Sequence, residues 1–440
     1  MNIVLLSGGS GKRLWPLSND IRSKQFIKIF KNLDGSYESM VQRVYRQIKN
    51  MDADAVITIA TSKTQVSAIH NQLGEEVGIS VEPCRRDTFP AIALAASYLH
   101  DVKGIQEHEA IVVCPVDPYV NEDYFQAVQE LSHQAETGQA NLVLMGIEPT
   151  YPSEKYGYII PTDNQSFSKV ETFKEKPDRK TAETYIRQGA LWNSGVFAFQ
   201  LKYLLDKSHE LMDYVNYQDL FERYESLPRI SFDYAVAEKE KNIQAMRFQG
   251  QWKDLGTWNT LSEAMEEPAI GKVIMDESCE NVHVVNEMDV PVLAMGLKDI
   301  VIGASSEGIL ISDKAQSSFI KPYVDSISQQ IMFAEKSWGL YKVIDVAEDA
   351  LTVKITLNPG EQMNYHSHKN RDEVWVVING TGRTIVEGAE RRVKSGDVIL
   401  MQAEDRHTIM ADSVLTLIEI QLGAEISTQD KQKFKLEGEE

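Results

Sequence analysis

The chain opens with a short apolar run, Ile3 to Leu6, that leads directly into a loop containing Gly8, Gly9 and Gly11. An apolar run of this length predicts a buried strand, and the glycines predict a turn in which the backbone can approach a ligand closely. Successive exposed N–H groups in such a loop can bind phosphate oxygens. We therefore expect a sheet with an anion-binding loop after its first strand; glycines that serve only a tight turn are the alternative.

The segment after this loop is basic, although the chain as a whole is acidic. Between Ser7 and Lys28 the only acidic residue is Asp20, and the basic residues are Lys12, Arg13, Arg22, Lys24 and Lys28. Because the net charge of the chain is −20, this local patch is what can attract an anionic substrate. The loop is not a P-loop, which needs Ser or Thr where Arg13 stands, and Trp15-Pro16 interrupts any dinucleotide-binding fingerprint.

Residues 1 to about 265 alternate between strand-like and helix-like segments. The strand-like runs are 55–60, 78–81, 110–114 and 141–146, and the helix-like segments are 63–73, 90–101 and 122–136. This alternation predicts an α/β fold with a mostly parallel sheet. Ligands of such folds bind at the carboxyl ends of the strands, so the residues that directly follow each strand are the candidates for a site.

Two of these strand ends carry polar side chains that a turn alone does not explain. Glu82 and Arg86 follow one strand, and Thr88 and Pro90 come next. A capped helix start explains Thr88 and Pro90 but leaves Glu82 and Arg86 without a role. Asp117 follows the next strand, where a carboxylate can bind Mg²⁺, an ion that proteins hold through one or two carboxylates together with phosphates. A turn aspartate is the alternative for Asp117.

Residues 150 to 265 supply groups suited to a hydroxylated ligand. Gly157 stands between two tyrosines, Glu175 is followed by Lys176, and Asn193 is followed two residues later by Gly195. Carboxylate and amide groups give the paired donors and acceptors that a sugar needs, and Lys176 can bind its phosphate. The alternative for Glu175 and Lys176 is a solvated turn pair.

These segments, in this order, resemble the motifs of the mannose-1-phosphate guanylyltransferases, a branch of the sugar-phosphate nucleotidylyltransferases. The matching stretches begin with the G-x-G-x-R-L-x-P loop and its lysine, and continue with E-P-x-x-R-N-T-x-P-A-I-A, Y-G-Y-I, E-K-P, W-N-S-G, D-Y-A-V and W-x-D-x-G-x-W. The resemblance covers residues 1 to about 265 and implies a Rossmann-like nucleotidyltransferase domain. This chain departs from the family pattern at Lys12, Asp87 and Pro118, where Thr or Ser, Asn and His are usual.

The resemblance implies transfer of GMP from GTP to mannose 1-phosphate, which gives GDP-mannose and pyrophosphate by a single displacement. The catalytic residues that it implies are Arg13, Lys24, Asp117 and Asp254, of which Asp117 and Asp254 hold Mg²⁺. The nucleotide-binding residues are Leu6, Gly8, Gly9, Gly11, Lys12, Glu82, Arg86 and Thr88. The residues for the sugar phosphate are Gly157, Glu175, Lys176, Asn193 and Gly195.

The first domain is expected to span residues 1–268, and two further units follow it. Residues 269–330 contain short strand-like runs at 281–285, 290–295, 300–302 and 308–312, which predict a small β linker domain without chemistry of its own. Residues 331–425 are expected to form a cupin β-barrel, and residues 426–440 a solvated tail.

The cupin prediction depends on a spaced set of metal-ligating residue types. His366 and His368 are two apart, so they share one face of a strand, and Glu373 and His407 can complete the site from neighbouring strands. A divalent metal (Zn, Fe, Mn or Ni) is therefore expected there. The unit resembles the isomerase domain fused to many guanylyltransferases, but two residues are inserted before Glu373, and Val374 replaces a histidine. Mannose-6-phosphate isomerisation, sugar binding and dimerisation all remain open for it.

Composition excludes several classes of partner. The net charge of −20 argues against nucleic acid, and no apolar run approaches the roughly 18 residues that span a bilayer. The three cysteines form no CxxC pair, which is typical of reduced thiols. We expect a cytoplasmic protein, a homodimer, that uses GTP and mannose 1-phosphate. The alternatives are a nucleotidylyltransferase for another base or sugar 1-phosphate, and a sugar-nucleotide sensor that binds without turnover.

Overall fold

A computed structural model describes residues 1–9, 12–32, 34–327, 331–427 and 430–436. Gly11, expected in the phosphate-binding loop, lies outside these ranges. The strands and helices of the first 268 residues are, in chain order, β1 Asn2–Ser7, β2 Lys28–Lys31, β3 Tyr37–Ser39, α1 Met40–Met51, β4 Val56–Ser62, α2 Val66–Leu73, β5 Gly78–Glu82, α3 Thr88–Asp101, β6 Ala110–Pro115, β7 Pro118–Val120, α4 Glu122–Glu136, β8 Leu142–Ile147, β9 Tyr158–Pro161, β10 Phe167–Lys174, α5 Arg179–Arg187, β11 Leu191–Gln200, α6 Leu201–Leu211, α7 Tyr217–Arg223, β12 Ile243–Phe248, β13 Trp252–Asp254 and α8 Trp258–Ser262.

The expected strands and helices of this part are confirmed, with boundaries that move by a few residues. The helix expected at 122–136 is α4 with the same bounds, whereas α3 starts two residues before the expected position, at Thr88. Asp87 caps α3, since its carboxylate Oδ1 accepts the backbone N–H of Thr88 (2.8 Å). The helix expected at 63–73 begins as a 3-10 turn over Lys63–Gln65 before α2 starts.

These elements build one nine-stranded sheet with the order β5-β4-β1-β6-β11-β8-β12-β10-β9. Strands β5, β4, β1 and β6 are parallel, and so are β8 and β12, but β11 runs antiparallel between β6 and β8. The sheet is therefore mixed: the expected parallel arrangement holds for β5, β4, β1 and β6 and for β8 with β12, but β11 and β10 run antiparallel to their neighbours. Strands β9 and β10 form a hairpin, a connection that needs no crossover helix and gives antiparallel pairing.

The core lies on both faces of this sheet because β1 is buried on both sides. Ile3 and Leu5 face one apolar cluster, and Val4 faces the other. A strand buried on both faces reads as a continuous apolar run, as Ile3 to Leu6 does. The strand thereby places the loop after Ser7 at the edge of the sheet where the parallel strands end.

The linker consists of β14 Ala269–Ile270, β15 Val273–Met275, β16 His283–Asn286, β17 Val292–Ala294, β18 Ile300–Ser305, β19 Gly308–Asp313 and α9 Lys321–Ser326. Strands β14, β16, β18 and β19 form one sheet, and β15 pairs with β17. The predicted runs are found here, at slightly shifted positions. A small core of Val282, Val284, Ala294 and Ile302 lies between the two sheets.

The linker packs closely on the segment that follows the glycine loop. A Cβ atom on Gly303 would lie 2.5 Å from the Trp258 ring, and one on Gly308 would lie 2.5 Å from the Trp15 ring. Glycine at both positions therefore allows β18 and β19 to approach these tryptophans. Ser305 donates its hydroxyl to the carbonyl of Pro16 (2.6 Å), which fixes the same segment by a buried hydrogen bond.

The last unit is a two-sheet β-barrel. Its strands are β20 Phe333–Lys336, β21 Gly339–Val346, β22 Ala350–Leu357, β23 His366–His368, β24 Asp372–Asn379, β25 Thr381–Val386, β26 Ala389–Lys394, β27 Val398–Met401, β28 His407–Ala411, β29 Leu415–Leu422 and β30 Lys431–Lys433. The sheets have the orders β20-β21-β22-β29-β24-β27 and β26-β25-β28-β23-β30. Residues 426–440 were expected to form a solvated tail, but part of this segment forms β30. The backbone of β30 pairs with β23 and covers an edge of the second sheet.

Candidate active site

The glycine loop borders a cavity of about 450 Å³ at the carboxyl end of β1. We call it the phosphate cavity, after the ligand expected from the sequence, and it is lined by Gly8, Gly9, Lys12, Arg13, Lys24, Gln25, Asp117, Gly256 and Lys321. Four of these residues are cationic and one is acidic. This excess of positive charge suits a polyanionic ligand. The structure thus brings together Arg13, Lys24 and Asp117, three of the four residues expected to be catalytic.

Lys24 lies between the two carboxylates expected to hold Mg²⁺. Its Nζ lies 2.7 Å from Asp117 Oδ2 and 3.7 Å from Asp254 Oδ1. Burial alone would lower the pKa of Lys24, but the two carboxylates outweigh burial and the net pKa is raised. The ammonium therefore stays charged, and it occupies the space where two carboxylates can bind a cation.

A short antiparallel ladder brings these carboxylates together. Strand β13 pairs with β7, and Asp254 stands opposite Pro118, the residue that follows Asp117. Pro118, a departure from the family pattern, is thus accommodated in a two-stranded edge ladder, where proline is tolerated. Gly256 keeps the approach to Asp254 open, since a Cβ atom there would lie 3.2 Å from Asp254 Oδ1 and 3.6 Å from an Arg13 guanidinium nitrogen.

Polar contacts hold the backbone of the glycine loop. The carbonyl of Gly9 accepts hydrogen bonds from Ser23 Oγ (2.8 Å) and from the guanidinium of Arg85 (3.4 Å). Gly9 has a φ of +118°, a conformation that disfavours any residue with a side chain. Lys12 points to acidic groups, with its Nζ 3.6 Å from Asp20 Oδ1 and 3.2 Å from Asp325 Oδ1.

A second cavity, of about 210 Å³, lies next to the phosphate cavity. We call it the sugar cavity, after the ligand expected from the sequence, and it is lined by Pro115, Asp117, Pro118, Lys155, Tyr156, Gly157, Glu175, Asn193, Ser194, Gly195, Asp233, Trp252 and Asp254. Asp117 lines both cavities. The two carboxylates and Lys24 therefore stand where the two cavities meet.

The polar groups of the sugar cavity are fixed by one another. Asn193 donates its Nδ2–H to Asp233 Oδ1 (2.8 Å), and its Oδ1 accepts the backbone N–H of Gly195 (3.1 Å). A Cβ atom on Gly157 would lie 2.6 Å from Glu175 Oε2, so glycine is needed there. Burial first, and then the charge of Glu175, raise the pKa of Asp233 to about 7. The cavity therefore offers rigid carboxylate and amide groups to hydroxyls.

Lys176 lies at the rim and not in the lining of the sugar cavity. Its Nζ is 2.6 Å from Glu175 Oε1, and the side chain is 53% exposed. Burial lowers the pKa of Lys176, but Glu175 outweighs burial, so the pKa is raised and the group stays charged. Its expected role with the sugar phosphate stays a prediction.

Four of the residues expected to bind the nucleotide line neither cavity. Glu82 Oε2 accepts the phenol O–H of Tyr224 (2.8 Å), and Thr88 Oγ1 accepts the backbone N–H of Phe232 (2.8 Å). Arg86 donates to the carbonyl of Glu225. These three side chains therefore contact the 224–232 segment, and Leu6 is part of β1. Their nucleotide contacts stay predictions.

Several residues that the structure places in the site were not among the expected site residues. Arg85, next to the expected Arg86, contacts the glycine loop, and Asp233 belongs to a recognised motif that was given no function. Tyr156 and Trp252 form a wall of the sugar cavity, with ring centroids 5.8 Å apart. Lys321 has no sequence signal at all, because it reaches the phosphate cavity from the linker.

The barrel contains a second site, in which the four expected ligands are brought together. One ligand atom from each of His366, His368, Glu373 and His407 lies within 4.8 Å of those of the others, and all four residues are buried. His366 stands opposite His407 in neighbouring strands, and Glu373 enters from β24 of the other sheet. The four residues therefore form a buried cluster of nitrogen and oxygen atoms that can bind a cation.

The hydrogen bonds around this group suit a cation. The Nδ1 atoms of His366 and His407 lie 2.6 and 2.9 Å from the carbonyls of Asn364 and Asp405. A donating Nδ1–H leaves Nε2 as a lone pair that can bind metal. His407 Nε2 and Glu373 Oε2 are 3.2 Å apart and buried without a hydrogen-bond partner. Two facing acceptors need a proton or a cation between them.

An arginine lies beside this group. Arg371 donates its Nε–H to Glu373 Oε1 (2.9 Å), and another guanidinium nitrogen lies 3.0 Å from His368 Nε2. Burial lowers the pKa of His368 to about 4, so this imidazole is neutral at pH 7, the form that binds metals. The family pattern also has an arginine two residues before the glutamate, and the two extra residues of this chain stand between His368 and Arg371. No role was predicted for Arg371 from the sequence.

None of the helices among the described residues combines the length and the apolarity needed to cross a bilayer.

Comparisons with known proteins agree with this arrangement. The family model of nucleotidyl transferases matches residues 2–269, and the model of the mannose-6-phosphate isomerase C-terminal domain matches residues 325–436. A mannose-1-phosphate guanylyltransferase of Salmonella montevideo is 27% identical over 98% of each chain. A Vibrio cholerae protein is 30% identical over 98% of this chain and 99% of its own. The structure of a mannose-1-phosphate geranyltransferase from Thermus thermophilus has a TM-score of 0.60, 27% identity, and covers 74% of this chain and 98% of its own.

Proposed function

Because this chain belongs to the nucleotidyl transferases and ends in a mannose-6-phosphate isomerase C-terminal domain, we propose that it transfers GMP from GTP to mannose 1-phosphate. The products are GDP-mannose and pyrophosphate. The observation that carries this proposal is the position of Asp117, Asp254 and Lys24 at the junction of the phosphate and sugar cavities. Relatives that match along their whole length carry the name of this activity.

The reaction is a single displacement at the α-phosphorus of GTP. An oxygen of the mannose 1-phosphate, held in the sugar cavity, attacks the α-phosphorus, and the bond to the bridging oxygen of the β-phosphate breaks. Arg13 and Lys24 offset the negative charge of the triphosphate in the phosphate cavity. A Mg²⁺ ion bound by Asp117 and Asp254 would supply charge neutralisation at the reacting phosphate. Positioning and charge account for most of the catalysis in such transfers.

The lining of the two cavities contains no cysteine or histidine among the described residues, so no activated nucleophile of those types stands at the junction. We therefore predict that labelled pyrophosphate does not exchange into GTP in the absence of mannose 1-phosphate. Exchange is expected as soon as mannose 1-phosphate is added, because the complete reaction is reversible. Exchange without the sugar phosphate, at a rate near kcat, would show a covalent guanylyl intermediate and contradict the single displacement.

We further propose that the barrel binds one divalent transition metal through His366, His368, Glu373 and His407. The facing acceptors of His407 and Glu373 support this proposal. When bound, such a metal can polarise a carbonyl or hydroxyl oxygen of a substrate.

Elemental analysis of the purified full-length chain tests the metal site. We expect about one transition-metal ion per chain, since three imidazoles and one carboxylate suit Zn²⁺, Fe²⁺, Mn²⁺ or Ni²⁺. The double variant His366→Asn/His407→Asn is expected to lose the metal. The matched control His108→Asn, at an exposed surface position, retains it. A wild-type chain that stays metal-free after incubation with each of these ions would refute the site.

A further inference from the structure

The last helix of the linker, α9, lies against the first domain and next to the glycine loop. Val324 packs against the core cluster of the first domain, and Ile320, the residue before the helix, is a buried member of that cluster. The helix also contacts the 3-10 turn formed by Lys12–Leu14. These contacts hold α9 at the border of the phosphate cavity.

Helix α9 contributes a cation to that cavity. Lys321, its first residue, lines the phosphate cavity together with Lys12, Arg13 and Lys24. Among the described lining residues, Lys321 is the one that comes from the linker. Asp117 lines both cavities, whereas Lys12 and Lys321 line the phosphate cavity alone. Neither lysine lines the sugar cavity, so both can contact the nucleotide without contacting the sugar.

A single carboxylate joins these two lysines. Asp325 Oδ2 is 2.7 Å from Lys321 Nζ, and Asp325 Oδ1 is 3.2 Å from Lys12 Nζ. The ammonium groups of Lys12 and Lys321 thus bind one carboxylate between them, and another anion can bind at the same position. The side chains of Asp325 and Lys321 are 39% and 57% exposed, so these ion pairs are solvated and weak. A phosphate group carries more charge and more acceptor oxygens than a carboxylate, and can replace it.

We propose that Lys321, together with Lys12, binds the β- and γ-phosphates of the nucleoside triphosphate and the pyrophosphate that leaves. Asp325 holds both lysines in position until the nucleotide displaces it. This inference rests on the proposed nucleotidyl transfer. It also gives a role to Lys12, which stands where related enzymes have a threonine or serine. The linker then completes the active site as well as connecting two domains.

Binding measurements on the full chain test this proposal. With Lys321→Gln, we expect the Kd for GTP, measured with Mg²⁺ and without sugar phosphate, to rise about tenfold, as for the loss of one hydrogen bond to a charged group. The inhibition constant of pyrophosphate rises to a similar extent. The Kd for GMP stays unchanged, because GMP lacks the β- and γ-phosphates. Lys321→Arg restores most of the affinity for GTP.

The control variant is Lys298→Gln, which removes an exposed linker lysine paired with Glu280 at 2.7 Å and is expected to bind GTP like the wild type. Unchanged GTP and pyrophosphate binding in Lys321→Gln would overturn the proposal, and so would an equal loss for GMP, which would indicate a general distortion. Asp325→Asn is expected to bind GTP more tightly, and weaker binding would refute the displacement of Asp325. Absence of turnover in the wild type would count against the proposed function alone, since these tests measure binding.

Discussion

Replacing Asp254 by asparagine is expected to lower kcat for pyrophosphate release by about 10²- to 10³-fold, the loss typical of one electrostatic group at a reacting centre. The carboxylate lies 3.7 Å from Lys24 at the junction of the two cavities. Asparagine keeps its shape but removes the negative charge that binds Mg²⁺. The β7–β13 ladder that positions residue 254 consists of backbone pairing, so the fold should not change. Steady-state kinetics at saturating Mg²⁺ measure the effect.

The control for this variant is Asp213→Asn, a fully exposed aspartate of the same domain. It removes one negative charge from a residue that lines neither cavity, and its kcat should equal that of the wild type. Thermal unfolding of both variants shows whether the fold is retained. Turnover of Asp254→Asn near the wild-type value would contradict the assignment of the metal ligands.

Replacing Arg22 by methionine is expected to lower the free energy of the first unfolding transition by about 3 kcal/mol, the usual cost of removing one partner of a buried ion pair. The Arg22 guanidinium donates two hydrogen bonds to Glu287 of the linker, at 2.7 and 2.9 Å. It also lies 3.8 Å from Glu335 at the start of the barrel. Without Arg22, the buried Glu335 and the partly buried Glu287 lose their counter-ion. Urea denaturation followed by fluorescence measures the change.

Lys28→Met is the matched control, because Lys28 borders the same cavity of about 270 Å³ as Arg22 but is exposed. This control should unfold at the wild-type urea concentration. An unchanged transition in Arg22→Met would mean that the junction of the three units does not depend on this ion pair.

The sequence was sufficient to predict the elements whose signal is local. The apolar run before Gly8 predicted β1 and its loop, and the spacing of His366 and His368 predicted a shared strand face. In both cases the residues that matter are neighbours in the chain. The matching motifs also predicted Gly157 and Asn193, which the structure places in one cavity.

Contacts between distant segments could not be predicted in the same way. Asp117 and Asp254 meet through a three-residue ladder, and strands that short have little signal of their own. Strand β11 inserts antiparallel between β6 and β8, which an alternation of strands and helices does not reveal. Strand β30 has a lysine-rich sequence typical of a solvated end, and only its backbone pairing with β23 makes it a strand.

The functional contacts of the linker also join distant segments, so they could not be predicted from the sequence. Its short strands predicted a β domain, but Lys321 and Asp325 have no motif that connects them with the glycine loop. Their position follows from the packing of Val324 on the first domain. Arg371 stands two residues before Glu373 in the sequence, but the motif does not show that its guanidinium contacts both Glu373 and His368.

Pyrophosphate release over a grid of four nucleoside triphosphates and several sugar 1-phosphates, with Mg²⁺, tests the central proposal most directly. The account predicts release with GTP and mannose 1-phosphate, and little release with any other pair. Release confined to another pair would keep the single displacement but refute the assigned substrates. No release with any pair, by protein that still binds GTP, would contradict the proposed enzyme and indicate a sugar-nucleotide sensor.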